Sequence, residues 1–193
     1  YKAEIVSYGW YNINRLLISS STANSVTSPY PMGSIFDTKN KSIMCAGRRI
    51  WLEHSYTFLD VAGEWCIDNN IGELHYVSYP GENPNTKVWV APVLTGILQV
   101  NGTAVNPVQF LNFEGIDFKH THWDIPSWGY IGSQAAFHSD NDSGFPESWW
   151  HTIPKAVEVS YAKHCHFSKC GISGTGGGGI GLLDGAQDCS IIG

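Results

Sequence analysis

Charge is scarce in this chain. Among 193 residues there are 11 basic and 17 acidic side chains, 15 % of the total, with a formal net charge of −6. So few cations cannot form a basic stripe, which argues against a nucleic-acid partner. Long hydrophobic runs are also missing: none approaches the roughly 18 residues that cross a bilayer, so no membrane span is expected. Helical periodicity is weak throughout. The five cysteines, Cys45, Cys66, Cys165, Cys170 and Cys189, include no CxxC pair, and an odd number cannot all close into disulfides. Cysteine embedded in a strand reads as a small buried hydrophobe. His164, Cys165 and His166 alternate faces, so they do not converge on a zinc ion, and no metal or cofactor is expected. No GxSxG nucleophile turn occurs. The run Gly176-Gly177-Gly178-Gly179 is followed by no Lys-Ser/Thr and opens no helix, which excludes a phosphate loop. Its expected role is a tight corner that tolerates positive φ. The chain begins at Tyr1 without a signal peptide and stops in mid-pattern at Ile191-Ile192-Gly193, and it reads as a fragment of a longer protein.

What is present is aromatic and repetitive. Phe, Trp and Tyr make up 13 % of the residues, a composition that fits an ordered, core-rich β protein. Ala162-Lys163-His164-Cys165-His166-Phe167 and Ala186-Gln187-Asp188-Cys189-Ser190-Ile191 match in register, 24 positions apart. Each alternates with a period of two, as strands do. A Gly-rich stretch, Gly174 to Gly181, separates them. Strand, turn and strand at a fixed period is a solenoid signature. The expectation is the rungs of a parallel β-helix, with successive strands about 4.8 Å apart, Cys165 near Cys189 and Phe167 near Ile191.

Earlier in the chain, strands are expected at Glu4 to Trp10, Asn14 to Ser20, Ser42 to Cys45 and Arg49 to Glu53, with a short helix at Ser55 to Leu59. Gly63 to Asp68 and Glu73 to Tyr79 flank Asn69-Asn70-Ile71-Gly72 and form a hairpin. Lys87 to Ala91 and Gly96 to Val100 follow as strands. The rung pattern opens at Val108 and runs through Phe110 to Trp123. From Ile116 to Cys165 is about twice the rung period, and the intervening residues 124–154 hold Trp128, Tyr130, Phe137, Phe145, Trp149 and Trp150. So aromatic a stretch is expected to be an ordered loop on one face of the coil.

A run of segments carries a family likeness: Trp51-Leu52-Glu53-His54, Leu59 to Asp68, Gly72-Glu73-Leu74-His75-Tyr76, Pro80-Gly81-Glu82-Asn83-Pro84, Ala91-Pro92-Val93-Leu94, Phe113 to Trp123, Gly129-Tyr130 and Gln134-Ala135. In this order they resemble secreted right-handed parallel β-helix proteins of the pectate-lyase-like superfamily, over about residues 45–193. Within it they are most similar to glycoside hydrolases of the fucosidase, xylanase and xylosidase kinds. The resemblance implies an all-β chain in which residues 1–92 form a β-sandwich-like insertion. Residues 93–193 would be β-helix rungs, truncated, with the long aromatic loop at 124–154. It also implies an extracellular protein, with which the sequons at Asn40, Asn101 and Asn141 are compatible. The likeness departs at Ser173-Gly174-Thr175, where relatives often carry His before the Gly-rich turn.

The outer face of such a coil is a shallow groove suited to a polysaccharide or oligosaccharide partner. Aromatic rings stack on the C–H faces of sugars. Trp123, Trp128, Tyr130, Trp149 and Trp150 are candidates for that role, or else they pack the loop onto the coil. His120 and His122 share a face, as do His164 and His166. Two rungs could set both pairs on one wall, for hydroxyl recognition or proton transfer. Glycoside hydrolysis needs two carboxyl groups, about 5–5.5 Å apart for retention and about 6.5–9.5 Å for inversion. Glu158 points outward between Val157 and Val159, and Asp184 follows Leu182-Leu183 at a turn. These two are the first choice for the catalytic pair, ahead of Asp188, Asp140 and Asp142. His120, His122, Trp123, Trp128, Tyr130 and His166 are the choice for substrate binding. A non-catalytic glycan-binding or adhesin coil is the alternative. A lyase, with Lys155, Lys163 or Lys169 as its base, is a third.

Overall fold

The alternating runs fold as strands. The computed structural model describes residues 3–8, 13–29, 49–125, 130–132, 137–139 and 150–193, and these are all-β apart from two 3₁₀ turns, Tyr56–Phe58 and Pro84–Thr86. In chain order the strands begin with β1 (Glu4–Tyr8), β2 (Ile13–Leu17), β3 (Ser20–Ser21), β4 (Val26–Thr27), β5 (Ile50–Glu53), β6 (Trp65–Asp68) and β7 (Glu73–Tyr76). Next come β8 (Leu98–Asn101), β9 (Val108–Gln109), β10 (Asn112–Glu114) and β11 (Asp117–Thr121). Then follow β12 (Tyr130–Gly132), β13 (Phe137–Ser139) and β14 (Trp150–Thr152). The last are β15 (Lys155–Ser160), β16 (Ala162–Lys163), β17 (His166–Ser168), β18 (Gly171–Thr175), β19 (Gly178–Leu182) and β20 (Ser190–Ile192). The chain divides into two compact units: residues 1–88 with 125–152, and residues 89–124 with 153–193.

The first unit holds an antiparallel six-stranded sheet in the order β14-β13-β12-β2-β1-β5. Residues 125–152, expected as a loop on the coil, thus contribute three strands to a sheet that the first 53 residues begin. Ile5 and Leu16 face each other across β1 and β2 and are buried, with Ile18 against them. β3–β4 and β6–β7 are separate hairpins. In the second, Gly72 closes the turn at φ +70° and its N–H donates to the Asp68 carbonyl. Lys87 to Ala91, expected as a strand, joins no sheet among the described residues. This is where the chain leaves the first unit, and Pro92, which has no N–H, follows it. The strand expected at Ser42 to Cys45 lies outside the described residues, as do the sequons at Asn40 and Asn141.

In the second unit the chain passes twice through the same sequence of four strands, and a third pass adds two more, all pairing in parallel. β8, β9, β10 and β11 lie beside β15, β16, β17 and β18, and β15 and β17 pair in turn with β19 and β20. The resulting sheets are small, of two or three strands. The 24-residue register expected from the sequence is met: His166 pairs with Ser190, Phe167 with Ile191, and Lys163 bridges Gln187. Cys165 and Cys189 fall in the same core cluster as free thiols. Phe113 stacks on Phe167 with ring centroids 4.6 Å apart and an interplanar angle of 13°. Phe113, Phe167 and Ile191 therefore form one column, with Phe167 buried and Ile191 exposed at its end. Around it close Val100, Phe118, Val157, Val159, Ala162 and Cys165.

Two expectations about this unit need correction. Ile116 is one pass, not two, from the strand beside it. Asp117 pairs with Gly171, 54 positions on, because the excursion 125–152 intervenes within a single pass. The glycine run owes its composition to close approach rather than to positive φ. A Cβ on Gly176 would lie 2.6 Å from the Trp123 nitrogen and 2.8 Å from the His122 carbonyl carbon, and one on Gly177 would collide with the Pro154 carbonyl. The left-handed residues sit elsewhere, at matching corners of successive passes: Phe110, His164 and Asp188 (φ +59°, +52° and +52°), Gly115 and Lys169, and His120 and Gly174.

Candidate functional site

The second unit carries most of the candidate residues on its outward positions. His120, next to last in β11, has φ +66° and is exposed, directly across from Gly174. Beyond the buried Thr121, the His122 N–H donates to the Leu94 carbonyl at 2.7 Å, and its Nε2 lies 3.1 Å from Asp124 Oδ2. Trp123 is half-buried beside Gly176. His166 is exposed on β17, its Nδ1 2.8 Å from Ser190 Oγ. The two histidine pairs do not form one wall. His120 is aligned with residue 174, whereas His164 is aligned with Phe110, ten positions earlier in the pass. The register of 54 set by the excursion separates them.

Tyr130 stands apart from this group. Tyr130 belongs to β12 in the first unit, opposite Arg15, and is 9 % exposed. Burial raises its phenol pKa, and a ring so enclosed offers no face to a ligand. Trp128 lies outside the described residues, as do Trp149, Asp140 and Asp142.

Glu158 sits in the middle strand of β8-β15-β19, level with Gln99 and Gly181. Its Oε1 accepts from the N–H of Lys155 at 3.3 Å, so the carboxylate is turned back on its own strand. The Lys155 ammonium donates to the Ile153 carbonyl at 2.6 Å. Burial lowers its pKa, and the negative charge of Glu158 opposes that fall. Gly178 and Gly181 leave room for the Lys155 stem. Asp184 is exposed at the turn after β19, where its carbonyl accepts from Tyr161 N–H at 2.7 Å. It is therefore level with Tyr161, three positions past Glu158, or about 10 Å along an extended strand. The register does not bring the two carboxyl groups together.

The most perturbed groups serve loops. Glu82 accepts from Tyr76 Oη at 2.7 Å and from Tyr79 N–H at 3.0 Å, with Lys87 Nζ at 3.2 Å. The hydrogen bond from Tyr76 lowers the Glu82 pKa, and the reciprocal bond pushes Tyr76 up to about 12. Glu64 caps the backbone N–H groups of Asp60 and Val61, which lower its pKa. One cluster has metal-ligand chemistry among the described residues: Glu4, Glu53 and His54 in the first unit. The Arg15 guanidinium bonds both carboxylates, and Trp51 donates to Glu53. With a fixed cation between the acids, the group is an ion-pair network across β1, β2 and β5.

Sequence reasoning passed over Phe110, Asn112 and Ser190. The Phe110 ring is 68 % exposed and stacks on His164, with centroids 5.1 Å apart and an interplanar angle of 11°. Asn112, His166 and Ser190 lie level on three adjacent strands. The repeat between residues 162–167 and 186–191 could have pointed to Ser190. The partners of Phe110 were hidden by the 54-residue offset.

No family model matches the chain, and no curated protein matches it. The chain is similar in fold to a solved structure named "Glycoside hydrolase". The two share 24 % identity with a TM-score of 0.74, covering 93 % of this chain and 34 % of the other. This chain thus spans about a third of that structure's length.

Proposed function

We propose that this chain is part of a secreted carbohydrate-active protein, a glycoside hydrolase acting on a polysaccharide, whose second unit is a right-handed parallel β-helix. The observation that carries the reading is the threefold parallel pass, which stacks outward side chains from β10, β17 and β20 in level rows. Such rows make the long, shallow surface along which a polymer of sugar rings can lie. The fold likeness to a structure named a glycoside hydrolase supports it. Exposed Asn101, at the end of β8 within an Asn-Gly-Thr sequon, is compatible with secretion. Among the described residues no helix is long and apolar enough to cross a membrane.

In this reading Glu158 is the first candidate for a catalytic carboxyl group, and His120, His122, Trp123 and His166 contact the substrate. The test is reducing-end release from a panel of plant and algal polysaccharides, xylans and fucans included. Release that disappears in Glu158→Gln supports the assignment. No release from any polysaccharide overturns the hydrolase. One observation favours a second reading, a non-catalytic glycan-binding coil: Glu158 is bonded to its own strand and out of register with Asp184. Glycan binding that survives Glu158→Gln and Asp184→Asn together, without release, selects it.

A further inference from the structure

One corner of the coil is built unlike the others. Each remaining pair of aligned left-handed residues on successive passes includes a glycine: Gly115 with Lys169, His120 with Gly174, Tyr161 with Gly185. At the corner before β10, β17 and β20 all three passes carry a side chain, Phe110, His164 and Asp188, at φ +59°, +52° and +52°. Side chains are unfavourable in this region, and glycine would relieve the strain. The Phe110 ring does not recover the cost by burial, since it is 68 % exposed. One of its faces meets His164, and β10 is the edge strand of its ladder, so the opposite face lies beyond the last strand of the stack. Two positions along, the Asn112 amide, the His166 ring and the Ser190 hydroxyl lie level, with His166 and Ser190 2.8 Å apart.

We propose that this corner is a stacking subsite for a neutral pyranose residue of a glycan. Phe110 supplies the platform, and Asn112, His166 and Ser190 supply the hydroxyl contacts. An aromatic face matches the C–H face of a pyranose. Hydroxyls beyond its rim match amide, imidazole and alcohol groups, each able to donate and accept. The polar row carries no fixed charge, and Asp188 is the one acid at the corner. Two lysines flank the corner: Lys163, next to His164 with its carbonyl accepting from the Phe110 N–H, and Lys169, bonded to Glu114 at 2.7 Å. Asp188 on the neighbouring pass balances Lys163, so the corner holds no net charge, and the ligand class is an uncharged sugar. The proposal rests on the carbohydrate reading above and names the place where binding occurs.

The decisive variant is Phe110→Gly, which deletes the ring at a position where glycine is the unstrained residue, so lost binding cannot be assigned to unfolding. Calorimetric titration with xylohexaose, cellohexaose and mannohexaose, with trigalacturonate as the anionic comparator, reads the affinity. At least one neutral hexasaccharide is expected to bind. Its affinity should fall tenfold or more in Phe110→Gly and Phe110→Leu, hold in Phe110→Trp, and be unchanged in Val105→Ala, an exposed apolar control elsewhere in the unit. Equal binding by wild type and Phe110→Gly overturns the subsite and leaves the carbohydrate reading standing. Binding of trigalacturonate alone overturns the neutral class. No binding of any oligosaccharide by the wild type overturns the subsite, and no polysaccharide hydrolysis or retention in addition overturns the reading beneath it.

Discussion

Phe167 is the residue on which the most packing depends. It is wholly enclosed between Phe113 and Ile191, and cutting it to alanine leaves a cavity that the stacked strands above and below cannot collapse into. Phe167→Ala should cost about 3–5 kcal/mol in chemical denaturation. Ser7 and Asn14 present the opposite case. They face each other across β1 and β2, fully buried, and their side-chain polar atoms have no hydrogen-bond partner among the described residues. Because an unpaired buried hydroxyl carries a desolvation cost, Ser7→Ala is expected to raise stability by about 1 kcal/mol, read as a higher denaturation midpoint. Glu82 and Glu64 give the molecule a pH dependence. Both bind protons more weakly when folded, so their contribution is complete above the ordinary value of 4.5 and is lost as the pH falls through their lowered folded values. In an acid titration followed by NMR, Tyr76→Phe should move the Glu82 midpoint back up toward 4.5. An unchanged midpoint would show that the Tyr79 N–H and Lys87 alone set it.

At the scale of elements, the glycine run between β18 and β19 is a packing device. Gly176 and Gly177 let one pass of backbone lie against the previous pass at Thr121 to Trp123 and at Pro154. Gly176→Ala forces main chain against main chain, and a loss of about 1–3 kcal/mol is expected, with a lower thermal midpoint. Gly72→Ala, where a Cβ meets nothing but φ is +70°, should cost about 1 kcal/mol through backbone strain alone. The contrast between the two separates steric from conformational reasons for glycine. The 24-residue period was legible in the residues because Ala, Cys and the bulky residue after it repeat in order. The steric reason for the glycines was not, because it depends on which strand lies next door.

For the molecule as a whole, the excursion 125–152 links two architectures. It leaves the second unit between β11 and β15 and adds β12, β13 and β14 to a sheet begun by the first strands of the chain. Strand pairing between residues so distant in sequence is set by which edges are open, and β2 offers one to β12. The aromatics of the segment led to the expectation of an ordered loop. They did not say that it pairs with β2 rather than lying as a loop on the coil, and that is why Tyr130 was placed among the groove residues.

The amino-acid sequence alone determined the all-β character and the inward column on each pass, because alternation of polar and apolar side chains is local information. It also determined the vertical register of the last two passes, because nothing interrupts the repeat between them. Only the tertiary structure decided the register of the first pass, the separation of the two histidine pairs, the three-position offset of Asp184 from Glu158 and the exposed stack of Phe110 on His164. All but the Asp184 offset depend on how far the chain travels before it returns to the ladder, which is set by non-local pairing of β12, β13 and β14; the Asp184 offset follows from the 23-residue step between β15 and β19.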